Sequence, residues 1–169
     1  MARLAVLEYP DPRLRQRSEP VGVFDADLGA LVDDLVETLR GTTAIGLSAP
    51  QVGVLQAVLA LDLSEERTSA EVYINPEILR RGAWGFVEES CLSVPGVVTN
   101  VIRATQVRVR AQNRHGETFE RDLEGMRAVA LQHEMDHLRG RLLVDRLWWL
   151  RRMRVRAAAM KRRARAATP

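Results

Sequence analysis

The chain has 169 residues, 46% hydrophobic and 28% charged, the composition of a globular protein long enough to bury a core without metal or crosslinks to hold it. No apolar run approaches the ~18 residues of a membrane span. The start lacks a signal-peptide core, Glu8, Asp11 and Glu19 speak against a transit peptide, and the expected compartment is the cytoplasm.

A single cysteine, Cys91, excludes an intramolecular disulfide. The net charge of +3 is unevenly spread: Arg151, Arg152, Arg154, Arg156, Lys161, Arg162, Arg163 and Arg165 are followed by no acidic residue and interrupted by none. Removing those eight from the 25 basic residues leaves 17 against 22 acidic ones, so residues 1–150 carry a formal charge of −5. The basic character belongs to the tail, and sequence-specific DNA binding by the whole chain is not expected.

Taken in chain order, Asp11 before Pro12 suits the start of a short helix. Leu28, Leu31, Val32, Leu35, Val36 and Leu39 then form an apolar helical stripe that Gly41 is placed to end. The stretch AIGLSAPQVG, residues 44–53, reads as a glycine-containing loop, with Gly46 and Gly53 permitting close backbone approach. LQAVLALDL and EVYINPEIL read as short strands separated by a polar loop. QVRVRAQ and ETFERDL flank NRHG, a hairpin turn that also holds His115. The period then becomes helical near Gly125, with Met126, Val129, Ala130, His133 and His137 on one face. A last helix is expected after Asp145, anchored by Leu147, Trp148 and Leu150. This order predicts an α+β fold in one domain over residues 1–150, followed by a basic helical tail over residues 151–169.

LQHEMDHLRG carries the chemistry. Residues four apart on a helix differ by about 40° in direction and about 6 Å along the axis, so His133 and His137 can converge on one cation. Glu134 lies on the flank, where it can reach water without binding the metal, the His-Glu-x-x-His arrangement of metal-assisted hydrolysis. The bland alternative is a polar helix turn, but both histidines continue an apolar stripe, where unpaired imidazoles need partners. Cys91, in EESCLSVPG, is a better third ligand than the loop residue His115, because its strand-to-turn setting places a thiolate and backbone amides together. Met126 and Val129 offer an apolar wall beside His133, and small Ala130 leaves room for an unbranched side chain such as methionine.

GLSAPQ, ESCLS and QHEMDHL, with YPDPRLR before them, together resemble the peptide deformylase family over about residues 3 to 148. The resemblance implies antiparallel strands packed around a central metal-ligand helix. It implies Cys91, His133 and His137 as ligands, Glu134 as base and then acid, and the Gln51 amide and Leu92 N–H as donors to a formyl oxygen. Ile45, Gly46, Ser90, Met126, Val129 and Ala130 are the expected substrate contacts. The implied ion is Fe2+, with Ni2+ or Co2+ as active substitutes and Zn2+ generally poorer, and the implied substrate is an N-formylmethionyl nascent peptide. Glu89 and Arg103 are expected to pair. Ala44, Ser48 and Ser90 depart from the residues usual in the family, as does Val98 where some members carry arginine. In some bacterial members a basic C-terminal helix docks at the ribosomal exit tunnel, which makes ribosome contact through residues 151–165 a further expectation. The competing readings are a metallopeptidase with the same histidine chemistry, and a ribosome- or RNA-binding protein whose metal is structural. Intact Glu134 and Gln51 speak against the second, and the Cys91 setting against the first.

Overall fold

The computed structural model describes residues 2–166. Helix α1 (Ala26–Arg40) buries Leu28, Val32, Leu35 and Leu39 along one face, as their spacing requires. Asp25 caps its start by accepting a hydrogen bond from the Leu28 N–H. Gly41 follows its last residue with φ −77°, so the helix ends without left-handed backbone.

Five strands form one antiparallel sheet in chain order: β1 (Gly46–Ser48), β2 (Val58–Leu61), β3 (Glu71–Ser90), β4 (Val98–Gln112) and β5 (Thr118–Glu124). The stretch expected to be a loop contains β1, which pairs Gly46 with Leu61 and Ser48 with Leu59, and then a 3-10 turn, Ala49–Val52. Three residues are too few to show a strand period, so only the pairing with β2 defines them.

Strand β3 runs far beyond the expected short apolar segment, to 20 residues. Its second half, with two glycines and several charges, has no strand signature of its own. Pairing with β4 from Ile74 opposite Gln112 to Ser90 opposite Val98 keeps it extended. Register shifts after Ile74 and Ile78 interrupt the ladder, and Asn75, at φ 52°, leads into Pro76, which has no N–H to donate. This long hairpin carries Cys91, just past the end of β3, to the middle of the molecule.

Helix α2 (Gly125–Leu138) follows β5 directly and packs against β4, β1 and β2. Leu131 and Met135 share one core with Leu59, Tyr73 and Val109. The expected α+β arrangement around the histidine helix is therefore present. Gly140, at φ 68°, closes the helix end; a Cβ there would lie 2.3 Å from the Arg15 carbonyl oxygen.

Helix α3 (Trp149–Ala166) follows a 3-10 turn, Leu143–Arg146. Of its three expected anchors only Leu147 is buried; Trp148 is 70% exposed and Leu150 47%. Leu147 and Trp148 precede the first residue of α3 and so form no helical stripe with Leu150; the helix itself packs through Val155 and Ala159, four apart, against the cluster of Tyr9, Leu14 and Leu143. Residues 167–169 of the expected tail lie outside the described residues. Among the described residues no helix is long and apolar enough to cross a membrane.

Candidate active site

The end of β3 and the middle of α2 meet at Cys91, His133 and His137, whose ligand atoms lie within 4.8 Å of one another. Sγ of Cys91 is 3.2 Å from Nε2 of His137, and the two imidazole rings are 5.1 Å apart between centroids. One thiol and two imidazoles are the donor set of a divalent transition ion, and three protein ligands leave a position open.

The surroundings orient these donors. Nδ1 of His133 is 2.8 Å from Oε2 of Glu89, which leaves Nε2 for the cluster. Glu89 also accepts from Arg103 at 2.7 and 3.1 Å, and Arg103 donates to Asp136 at 2.7 Å. Asp136 takes a further hydrogen bond from Arg146 at 3.0 Å. The expected Glu89–Arg103 pair is thus part of a longer buried network. The sequence reading missed Asp136 and Arg146; the only signal was an acid three positions after His133, on a neighbouring turn of the same helix.

Charge states follow from this packing. Burial alone would raise the Glu89 carboxyl, but the hydrogen bonds from His133 and Arg103 overcome it and hold the pKa at about 2. Burial also opposes charge on His133, yet Cys91 and Glu89 outweigh it and keep its pKa well above the ordinary value. His137 is pushed well below by burial and by the charge of His133. Its Nδ1 is buried without a partner among the described residues, as is Oε2 of Glu134.

Glu134 is buried, which pushes its carboxyl upward against the opposing influence of the His133 charge and the Ser48 hydroxyl. Its side chain lies on Gly46: a Cβ there would fall 2.7 Å from Oε1 and 2.9 Å from Cγ of Glu134. The glycine expected to allow close backbone approach therefore makes room for this carboxylate.

Gln51 is held with its amide polarity defined. Its Oε1 accepts from the Ser48 backbone N–H at 2.9 Å and from the Ser48 hydroxyl at 2.8 Å. Its Nε2 donates to Ser93 Oγ at 3.3 Å and lies 3.9 Å from Cys91 Sγ. No protein acceptor takes the Leu92 backbone N–H among the described residues.

These groups open on a cleft of about 420 Å³. Ile45, Gly46, Ser90, Met126, Val129 and Ala130 all line it, as do Gln51, Cys91, Leu92, His133 and Glu134, while His137 sits behind the wall. Met126 stands at the mouth, 49% exposed. Of the departures from the family pattern, Ala44 and Ser90 border the cleft and Val98 does not. Thr43, Glu88 and Pro95 also line it without having been anticipated. They come from three separate loops and strand ends, and no local pattern marks them.

The polypeptide deformylase family model matches residues 3–153. A peptide deformylase of Hahella chejuensis is 46% identical over 157 residues, covering 92% of this chain and 94% of its own. One from Chromobacterium violaceum is 44% identical over 162 residues, covering 96% and 97%. The crystal structure of a peptide deformylase from Legionella pneumophila superposes with a TM-score of 0.91 at 40% identity, covering 99% of this chain and 100% of its own. That from Ehrlichia chaffeensis in complex with actinonin gives 0.89 at 32%, covering 96% and 98%. Because the matched region contains every residue of the cleft and all three clustered donors, the chain belongs to the polypeptide deformylase family and is an enzyme of that activity.

Proposed function

We propose that the cleft binds the N-formylmethionyl end of a nascent polypeptide and that Glu134 drives hydrolysis of the formyl amide, releasing formate and a free amine. The observation that carries this reading is the buried, unpartnered Oε2 of Glu134 at the wall of the cleft, beside the Cys91, His133 and His137 cluster.

The family is metal-dependent, and the donor set fits an ion held by Cys91, His133 and His137, with His137 Nδ1 and His133 Nδ1 on the side away from it. A divalent ion bound there would polarise the formyl carbonyl and acidify water. Iron(II) is the ion proposed, with nickel or cobalt as working substitutes. The protein supplies the remaining steps. Glu134 Oε2 takes a proton from the attacking water and returns it to the amide nitrogen as the C–N bond breaks, a role suited to a carboxyl whose pKa burial has raised. The negative charge that grows on the formyl oxygen is met by Gln51 Nε2 and the Leu92 N–H, donors oriented before the reaction. Ile45, Val129 and Ala130 receive the methionine side chain, and Gly46, Ser90 and Met126 border the peptide path.

Residues 1–150 form the catalytic unit in this reading, acting in the cytoplasm. From residue 151 onward α3 carries its arginines around an exposed surface and is proposed to touch ribosomal RNA phosphates near the emerging substrate. Removal of residues 151–169 should weaken ribosome co-sedimentation at low salt; unchanged co-sedimentation would end that part of the proposal.

Formate release from a formyl-methionyl tripeptide tests the chemistry, with protein loaded anaerobically with ferrous iron or nickel. Wild type should release formate, and equally loaded Glu134→Ala should not. Failure of folded, loaded wild type would exclude this substrate.

A further inference from the structure

A second cavity, of about 210 Å³, shares no lining residue with the catalytic cleft. It lies behind the buried ion pairs, with Arg103 and Asp136 in its wall, while Glu89, at the other end of the network, faces the cleft. Five arginines line it, Arg81, Arg103, Arg139, Arg141 and Arg146, against one carboxylate, Asp136.

That carboxylate is already shared. Asp136 accepts from Arg103 at 2.7 Å and from Arg146 at 3.0 Å. Arg103 spends its other donors on Glu89. The side chains of Arg81, Arg139 and Arg141 form no hydrogen bond or ion pair among the described residues, although the backbone N–H groups of Arg139 and Arg141 donate to the Asp136 carbonyl. They reach the cavity from β3 and from the turn after α2. Exposed arginines on a convex surface point apart into water. Arg81, Arg139 and Arg141 are exposed but line one concave surface, where an anion would relieve their repulsion.

The rim is apolar. Trp84 is 62% exposed and Ile102 55%, and both line the cavity. Phe86, 80% exposed, pairs with Ile102 across the β3–β4 ladder and extends the same apolar surface. Guanidinium forks match phosphate oxygens, and an indole face offers a stacking platform for a planar base. A flat anionic surface would not require the concavity.

We propose that this cavity is a phosphate-binding site for a nucleotide, free or within a strand, with the phosphate held by Arg81, Arg139 and Arg141 and the base against Trp84. The site is separate from the catalytic cleft and from the basic face of α3.

The test uses the full-length, metal-loaded protein at constant ionic strength. Inorganic phosphate, adenosine monophosphate and a short oligoribonucleotide are titrated calorimetrically. Phosphate binding should saturate and weaken by at least about tenfold in Arg139→Gln/Arg141→Gln, as loss of two charge-assisted contacts requires. It should be unchanged in Arg154→Gln/Arg156→Gln on α3. The monophosphate should bind more tightly than phosphate, and Trp84→Ala should remove that gain. Comparison with the oligonucleotide then distinguishes a free nucleotide from a strand. Phosphate affinity unaltered by the Arg139 and Arg141 changes would place the anion elsewhere and overturn the site. Equal weakening by the α3 changes would reduce it to diffuse charge. A monophosphate no tighter than phosphate would remove the nucleotide from the proposal. Melting curves for each variant distinguish lost binding from lost folding.

Discussion

Oε2 of Glu89 lies 2.8 Å from Nδ1 of His133, so a residue near the end of β3 orients a ring on α2. The ligand cluster is therefore set by the strand as much as by the helix, because the nitrogen engaged by Glu89 is unavailable and the other is left facing Cys91. Replacing Glu89 by glutamine keeps the size but loses the charge that pairs with Arg103 and His133. Glu89→Gln should weaken metal affinity by roughly 10–100-fold. Competition with a chelator measures this directly, and unchanged affinity would mean that the contact does not tune the ligand.

Gly46 bears on Glu134, the proposed base, rather than on the proposed metal ligands. A methyl group there would meet Glu134 Oε1 at 2.7 Å and Cγ at 2.9 Å, and Leu61 Cδ2 at 3.0 Å. The carboxylate is the part able to move. Gly46→Ala should lower kcat on the order of 100-fold, the scale of an ångström's misplacement of a reacting group. Metal content, measured on the same samples, should stay at the wild-type level; joint loss of metal and activity would point to general damage.

Gln51 is proposed to act in the transition state. Its carbonyl is occupied by Ser48, so the amide cannot turn without losing two hydrogen bonds. Gln51→Leu removes the donor and should reduce kcat by about 10²–10³-fold, with KM changing much less. A change confined to KM would assign Gln51 to ground-state binding.

Asp145 links the start of the chain to its last helix. It accepts from Arg15, from the Leu142 N–H at 2.9 Å, and lies 3.3 Å from Arg152. Burial acts to raise its pKa, but Arg15 and the Leu142 N–H prevail and hold it below the ordinary 3.8. A folded pKa below the unfolded one means the carboxylate stabilises the fold above pH ~3.8, an advantage lost as the pH falls through the lower folded value. Asp145→Asn should lower Tm by roughly 2–4 °C near neutrality. The two melting curves should converge below pH ~3.8; a constant difference down to acid unfolding would show that the charge is not responsible.

The local sequence was sufficient wherever the physics is periodic or short-range. The apolar repeat from Leu28 to Leu39 produced α1, Asn113 and Gly116 produced the turn before β5, and the His133 to His137 interval placed two imidazoles on one face of α2. The strand-to-turn setting singled out Cys91 and motif resemblance added Gln51, and the structure brings both beside those histidines from two other elements.

What tertiary structure alone decided depends on partners distant in sequence. The second half of β3 is a strand because β4 supplies its ladder, and β1 because β2 does. Asp136 joined the site through Arg103, 33 positions away, and Gly46 through Glu134. The same holds for α3, where sequence suggested Leu147, Trp148 and Leu150 as anchor and packing kept Leu147 but joined it to Val155 and Ala159. The second basic cavity likewise appears only when β3, β4 and the end of α2 assemble. A residue type and its spacing determine which atoms one element can present on one face. Which atoms face one another across elements is determined by strand register and core packing, and these are properties of the folded chain.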